Sequence, residues 1–112
     1  MKATAKLTML RVAPRKARLV ADLIRGKDVS EAESLLKFTN RRSSKPILKL
    51  LQSAKANAVN NHDMFEDSLY ISEIRVDEGA TIKRFLPRAR GSADVMRKRT
   101  SHINIILEER NG

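Results

Sequence analysis

Cysteine is absent from the 112 residues, which removes disulfides, thiolate-held zinc and cysteine nucleophiles together. Tryptophan is missing too, and aromatic residues make up only 4% of the chain, so the stacking platforms on which some proteins splay out single-stranded bases are lacking. No apolar run approaches the roughly 20 residues that a membrane-spanning helix needs. The opening Met1-Lys2-Ala3-Thr4-Ala5-Lys6 lacks the apolar core of a secretory leader, and the expectation is a soluble, cytoplasmic protein with no membrane contact.

Chemistry-bearing groups are equally sparse. His62 and His102 are the only histidines, fall on separate elements and form no metal set, so no metal or cofactor is expected. Asp77-Glu78 has the look of a paired carboxylate, but neighbours on a strand point to opposite faces. Salt bridges to nearby basic residues, or a turn, suit the pair better. Neither a Gly-rich phosphate loop nor a serine elbow occurs, and no enzyme is expected.

What the chain has in excess is positive charge, +10 with an isoelectric point near 10.5. Each phosphate neutralised by Lys or Arg releases condensed counterions, so a polyanion is the expected partner. Residues 1–18 carry Lys2, Lys6, Arg11, Arg15, Lys16 and Arg18 with no acid. Residues 79–100 carry Lys83, Arg84, Arg88, Arg90, Arg97, Lys98 and Arg99 against Asp94 alone. Taken as a sum, the remainder is slightly acidic. Two single-sign segments bracketing a near-neutral body point to binding more than to solubility.

Periodicity supplies the frame. Ala3, Ala5, Leu7 and Met9 alternate with Lys2, Thr4, Lys6 and Thr8, the pattern of a half-buried strand. Pro14 opens a helix that Gly26 closes, with Ala17, Val20, Ala21 and Ile24 on its inner face. Ser30 and Glu33 form a capping box for a short second helix ending near Phe38. Ser43 or Ser44 caps a third, carrying Pro46 in its first turn and Ile47, Leu51, Ala54 and Ala58 inward, to end near Asn60-Asn61. Leu69 to Asp77 reads as a strand with Tyr70, Ile74 and Val76 on one side. Ser101 to Glu108 reads as its antiparallel partner, with Ile103, Ile105 and Leu107 inward. The expected fold is a single α+β domain over residues 1–112: a small antiparallel three-stranded sheet packed on three helices, with a long extended β-hairpin arm.

That arm, from about Gly79 to Thr100, is the anomaly. Hairpin loops usually take two to five residues, and a longer connection is normally functional or disordered. Ile82, Phe85, Leu86, Val95 and Met96 are too few to build a second core. Ten extended residues out and ten back reach about 30 Å. At the middle, Pro87-Arg88-Ala89-Arg90-Gly91-Ser92-Ala93 combines turn formers with small residues. Arg outnumbers Lys here, and its planar fork bonds two phosphate oxygens at once. Phe85 suits either a wedge against bases or packing at the hairpin flank.

Several segments together resemble one family: Arg18-Leu19-Val20-Ala21-Asp22-Leu23-Ile24-Arg25-Gly26-Lys27, Ser53-Ala54-Lys55-Ala56-Asn57-Ala58, Val76-Asp77-Glu78-Gly79, Lys83-Arg84, Pro87-Arg88-Ala89-Arg90-Gly91 and Lys98-Arg99-Thr100-Ser101-His102-Ile103. The chain resembles the bacterial large-subunit ribosomal protein family L twenty-two over nearly its whole length. The resemblance implies a structural protein that binds large-subunit ribosomal RNA, supports subunit assembly and touches neighbouring ribosomal proteins. It also implies a hairpin threading RNA to the nascent-peptide exit tunnel, with Arg88, Ala89, Arg90, Gly91, Ser92 and Ala93 as the tunnel-facing tip beside the nascent peptide. Ser92 stands where family members often carry a further basic residue. The RNA-binding residues expected are the thirteen cations of the two basic segments, held by a protein that is monomeric when free.

Two other readings use the same features. An architectural DNA-binding protein also deploys a basic β-arm, but such proteins bind as symmetric dimers, and no second apolar face is evident here. A helix-turn-helix around Gly26 ranks lower, because Glu31 and Glu33 would repel a DNA backbone.

Overall fold

The computed structural model describes residues 2–79, 82–87 and 93–110, those of 82–87 and 93–98 as backbone only. In chain order they form β1 (Lys2–Leu10), α1 (Pro14–Ile24), α2 (Val29–Phe38), α3 (Ser44–His62), a 3-10 turn (Glu66–Ser68), β2 (Leu69–Glu78), β3 (Ile82–Pro87), β4 (Ala93–Lys98) and β5 (Ser101–Glu109). The α+β class and the three-stranded sheet against three helices are as the periodicity predicts.

β5 runs down the middle of the sheet, in the order β1-β5-β2, antiparallel to both neighbours. Its strict alternation explains the position. Ile103, Ile105 and Leu107 are buried under the helices, while His102, Asn104 and Ile106 stay half-exposed on the other face. α1 lies against β2, and α3 crosses β1 and β5. The side chains filling the space between the layers are Val20, Ile24, Ile47, Leu51 and Ala54 from the helices and Ala3, Ile71 and Ile74 from the outer strands.

Both outer strands depart from simple alternation, and each departure corrects an expectation. In β1 the register slips between Leu7 and Leu10, and Met9 takes a positive φ of 57°. Met9 is therefore turned outward, at 44% exposure, and does not continue the inner face. Its N–H donates to His102 Nδ1 at 3.1 Å, so this histidine holds the irregular end of the strand. In β2 a bulge between Ile71 and Glu73 switches parity. Leu69 and Ile71 face inward before it, Ile74 and Val76 after it, and Tyr70 lies on the opposite side from the position expected. There Tyr70 carries the Arg110 guanidinium 4.4 Å from its ring centroid.

The capping expectations also change. α2 starts at Val29 behind Asp28, not behind Ser30, and Ser30 with Glu33 form no capping box. Residues 26–28 are pinned to β2 first: the Gly26 N–H donates to the Ile71 carbonyl at 3.1 Å, and the Ile71 N–H to the Lys27 carbonyl at 2.9 Å. The helix begins as soon as that pairing releases the chain. Asp28 makes no side-chain cap because its carboxylate accepts from Arg110 at 2.6 Å. α3 ends at His62, closed by Asp63 in the left-handed conformation at φ 52°.

β2 has an outer edge with unpaired carbonyls, a standing invitation to another strand. α1 closes it. Arg18 donates from Nε and Nη2 to the Val76 carbonyl at 3.2 and 3.0 Å, and Arg25 Nη2 to the Ile74 carbonyl at 2.9 Å.

At the far end of the sheet Glu78 pairs with Ser101, and the Gly79 N–H donates to the Thr100 carbonyl at 2.9 Å. From that root β3 and β4 form their own antiparallel ladder, with Ile82 opposite Lys98 and Pro87 opposite Ala93. The hairpin arm is thus present in the backbone. The Cα radius of gyration is 17.2 Å, against about 13 Å for a compact chain of this length, so the molecule is elongated. Residues 88–92 of the expected tip, and any salt bridges from Asp77-Glu78 to basic residues of the arm, lie outside the described residues.

Candidate nucleic-acid interface

An α-helix begins with backbone N–H groups that have no partner and a partial positive charge, normally answered by a capping side chain and by acids in the first turn. α2 has Glu31 there. α1 and α3 have neither device: no side-chain cap bond and no acid in the first turn. Instead they carry cations, Arg15 and Lys16 at the start of α1, and Lys45, preceded by Arg41 and Arg42, at the start of α3. Like charge at a positive helix end is unfavourable until an anion arrives.

Both uncapped ends border one hollow. It is lined by Arg11, Lys16, Arg42 and Arg99, with Leu10, Val12 and Pro46 as its apolar walls. Arg11 belongs to the turn before α1, Lys16 to its first turn, Arg42 to the turn before α3, and Arg99 to the point where β4 hands over to β5. Three stretches far apart in sequence, at residues 11–16, Arg42 and Arg99, thereby deliver four cations and no carboxylate. A second hollow shares Arg42 and Pro46 with the first and continues between α3 and β1, adding Lys6, Lys45 and Lys49. Beyond it the groove keeps Lys6 and becomes mainly uncharged and polar, with Thr4, Ser53, Asn57, Asn60 and Asn61. Asn57 Nδ2 donates to the Thr4 carbonyl at 3.1 Å and ties the two walls together.

Charge on α3 is sorted by face. Lys55 points away from the groove and bonds Glu66 at 2.7 Å and Glu33 at 3.2 Å. Those bonds, Glu66 first, hold its ammonium above its ordinary pKa against the opposing effect of burial. Arg42, Lys45 and Lys49, on the groove side, have no ion pair among the described residues.

Of the six cations expected in the first segment, the structure gathers Lys6, Arg11 and Lys16 into this groove, with Arg99 from the second. Lys2 lies at the far end of β1, in register with Glu108, and Arg15 is exposed on α1 outside the hollows. Arg18 is exposed, but two of its donors are occupied by Val76. The side chains of Lys83, Arg84, Arg88, Arg90, Arg97 and Lys98 lie outside the described residues.

Sequence reasoning missed Arg42, Lys45 and Lys49, and the description of the middle of the chain as near-neutral needs correction. A signal was available. Residues 34–62 carry Lys37, Arg41, Arg42, Lys45, Lys49 and Lys55 without one acid. Summing them with the acid-rich stretches on either side hid a third basic segment.

Comparison with known proteins identifies the family. A family model described as Ribosomal protein L22p/L17e matches residues 5–108. The chain belongs to this family. It is a ribosomal protein, a structural component and not an enzyme. Among its relatives, the large ribosomal subunit protein uL22 of Thermus thermophilus is 56% identical over 112 residues, covering 100% of this chain and 99% of the relative. The uL22 protein of Deinococcus radiodurans is 56% identical over 101 residues, 90% of this chain and 75% of the relative. That of Acetivibrio thermocellus is 52% identical over 107 residues, 96% of this chain and 86% of the relative. Membership assigns the chain to the large ribosomal subunit and leaves the architectural DNA-binding reading without support. Among the described residues no helix is long and apolar enough to cross a membrane, and no group of acids and histidines is arranged to hold a metal.

Proposed function

We propose that this chain binds large-subunit ribosomal RNA through two surfaces: the groove along α3, and the β3–β4 arm. The observation that carries the first is the convergence of two uncapped helix N-termini with Arg11, Lys16, Arg42 and Arg99 on one hollow. Helix dipoles and guanidinium forks both favour phosphate oxygens, and neither distinguishes one base from another. The groove therefore positions RNA and does not read its sequence. Neighbouring ribosomal proteins complete the surroundings in the assembled particle, and the free protein is a monomer.

The arm carries Lys83, Arg84, Arg97 and Lys98 along its flanks into RNA, and its tip, Arg88 to Ala93, lines the nascent-peptide tunnel. Family membership and the separate antiparallel ladder of β3 and β4 support this half of the reading. RNA held on both surfaces links separate parts of the ribosomal RNA during subunit assembly.

The test is site-specific crosslinking from Arg42 and, separately, from Arg88 or Arg90, each replaced by a photoreactive residue, in assembled subunits. Crosslinks to large-subunit RNA from both positions are expected, and from the tip also to a stalled nascent chain. If neither position reaches RNA in assembled subunits, the proposal fails.

A further inference from the structure

Around the start of α3, on the side facing α2, is a further hollow, which shares only Lys45 with the groove. Its cations are Lys37 from the last turn of α2, Arg41 from the connecting turn and Lys45 from the first turn of α3, set against Leu36 and Leu48. No carboxylate lines it, and none of the three cations has an ion pair among the described residues.

Ser44 belongs to the wall of this hollow. The residue is 3% exposed, and its hydroxyl is the one buried side-chain polar atom without a hydrogen-bond partner among the described residues. The hydroxyl of Thr39, also in this wall, is satisfied, donating to the Leu35 carbonyl at 2.6 Å, as is that of buried Ser101, donating to the Val12 carbonyl at 2.5 Å. A buried hydroxyl left unpaired costs stability, and a partner supplied from outside the chain relieves that cost. The backbone repeats the pattern. The Ser44 N–H donates to the Arg41 carbonyl at 3.2 Å and the Ile47 N–H to the Ser43 carbonyl at 3.0 Å, while the Lys45 N–H has no backbone acceptor among the described residues and Pro46 has no N–H to offer. The start of a 19-residue helix therefore keeps one free amide, one free hydroxyl and three free cations around one small space.

We infer that this hollow binds a single phosphate group, supplied in the assembled particle by the RNA backbone, an inference that rests on the RNA-binding reading above. The Lys45 amide and the Ser44 hydroxyl, after rotation about its Cα–Cβ bond, each donate to the anion. Lys37, Arg41 and Lys45 neutralise it, and the α3 dipole points at it. Phosphate is favoured over a carboxylate because this many donors, spread over two helices and a turn, need several acceptor oxygens on one centre.

The experiment titrates the full-length ¹⁵N-labelled protein with inorganic phosphate against chloride at matched ionic strength, following the Lys45 amide, for wild type, Ser44→Ala and Arg41→Gln. A saturating shift is expected in the wild type, weakened roughly tenfold in Ser44→Ala, as for loss of one hydrogen bond to a charged group. Free Ser44→Ala unfolds at no lower temperature than wild type, because the hydroxyl removed was unsatisfied. This opposition, binding lost and stability kept, is something a structural serine would not give. A linear shift, or equal curves for wild type and Ser44→Ala, overturns the site. A large-subunit ribosomal RNA fragment is the second probe: affinity falls in Ser44→Ala and Arg41→Gln, and unchanged affinity overturns RNA as the source of the phosphate. If even the wild type binds no RNA, the broader reading has failed, and the phosphate titration alone still decides whether this hollow is a site.

Discussion

The Gly79 N–H donates to the Thr100 carbonyl at 2.9 Å, and a methyl group added at Gly79 would stand only 2.5 Å from Thr100 Oγ1. Here the two chains of the arm leave the sheet, and they lie too close for any side chain on that face. Thr100 is fully buried and cannot retreat into solvent.

Gly79→Ala accordingly costs stability through overpacking, by about 1–3 kcal/mol, read from the denaturant midpoint. It also re-aims the arm, so subunit incorporation falls further than the loss of stability alone explains. A variant as stable as wild type would show that the root has room to spare.

Arg18→Ala separates a structural arginine from a binding one. Removing the two hydrogen bonds to the Val76 carbonyl uncovers the edge of β2 and costs about 1 kcal/mol after allowing for solvent screening. Arg42→Gln, in the open groove, leaves unfolding unchanged. Equal unfolding midpoints for the two variants would contradict this division.

Lys55 gives the protein an alkaline sensitivity. Its pKa is raised in the folded state by Glu66 and then Glu33, so its contribution is complete below the ordinary lysine range and is lost as pH rises through the higher folded value. Wild type is therefore more stable than Lys55→Gln at neutral pH, and the gap between them narrows above about pH 10. Parallel stability curves across that range would mean the two carboxylates do not stabilise the charged lysine.

Much of this architecture was legible from period and punctuation. The Pro14 start and Gly26 end of α1, the inner face of α3 and the alternation of β5 all follow from local pattern, because each is decided by burial within one element. The parity switch in β2 was not, since a bulge is a tertiary accommodation and Tyr70 looks as apolar as its neighbours. Neither was the start of α2, where pairing of residues 26–28 with β2 overrode the Ser30 and Glu33 signal. For the site, contiguous charge revealed Lys6, Arg11, Lys16 and Arg99, but nothing in the sequence said that the starts of α1 and α3 would be neighbours. That adjacency comes from both helices lying on one sheet, and it recruits Arg42. The same contiguity did not show that Arg18 also bonds a carbonyl 58 positions away.

The salt dependence of binding to a large-subunit ribosomal RNA fragment tests the groove most directly. Wild type is compared with a variant carrying Arg11→Gln, Lys16→Gln, Arg42→Gln and Arg99→Gln, the four cations of the shared hollow. Every phosphate that the variant no longer neutralises lowers the slope of log affinity against log salt by about 0.7–0.9, so the expected drop is about 3 with the unfolding midpoint unchanged. An unaltered slope in a folded variant would contradict the claim that two helix ends and four cations are built to hold RNA phosphates.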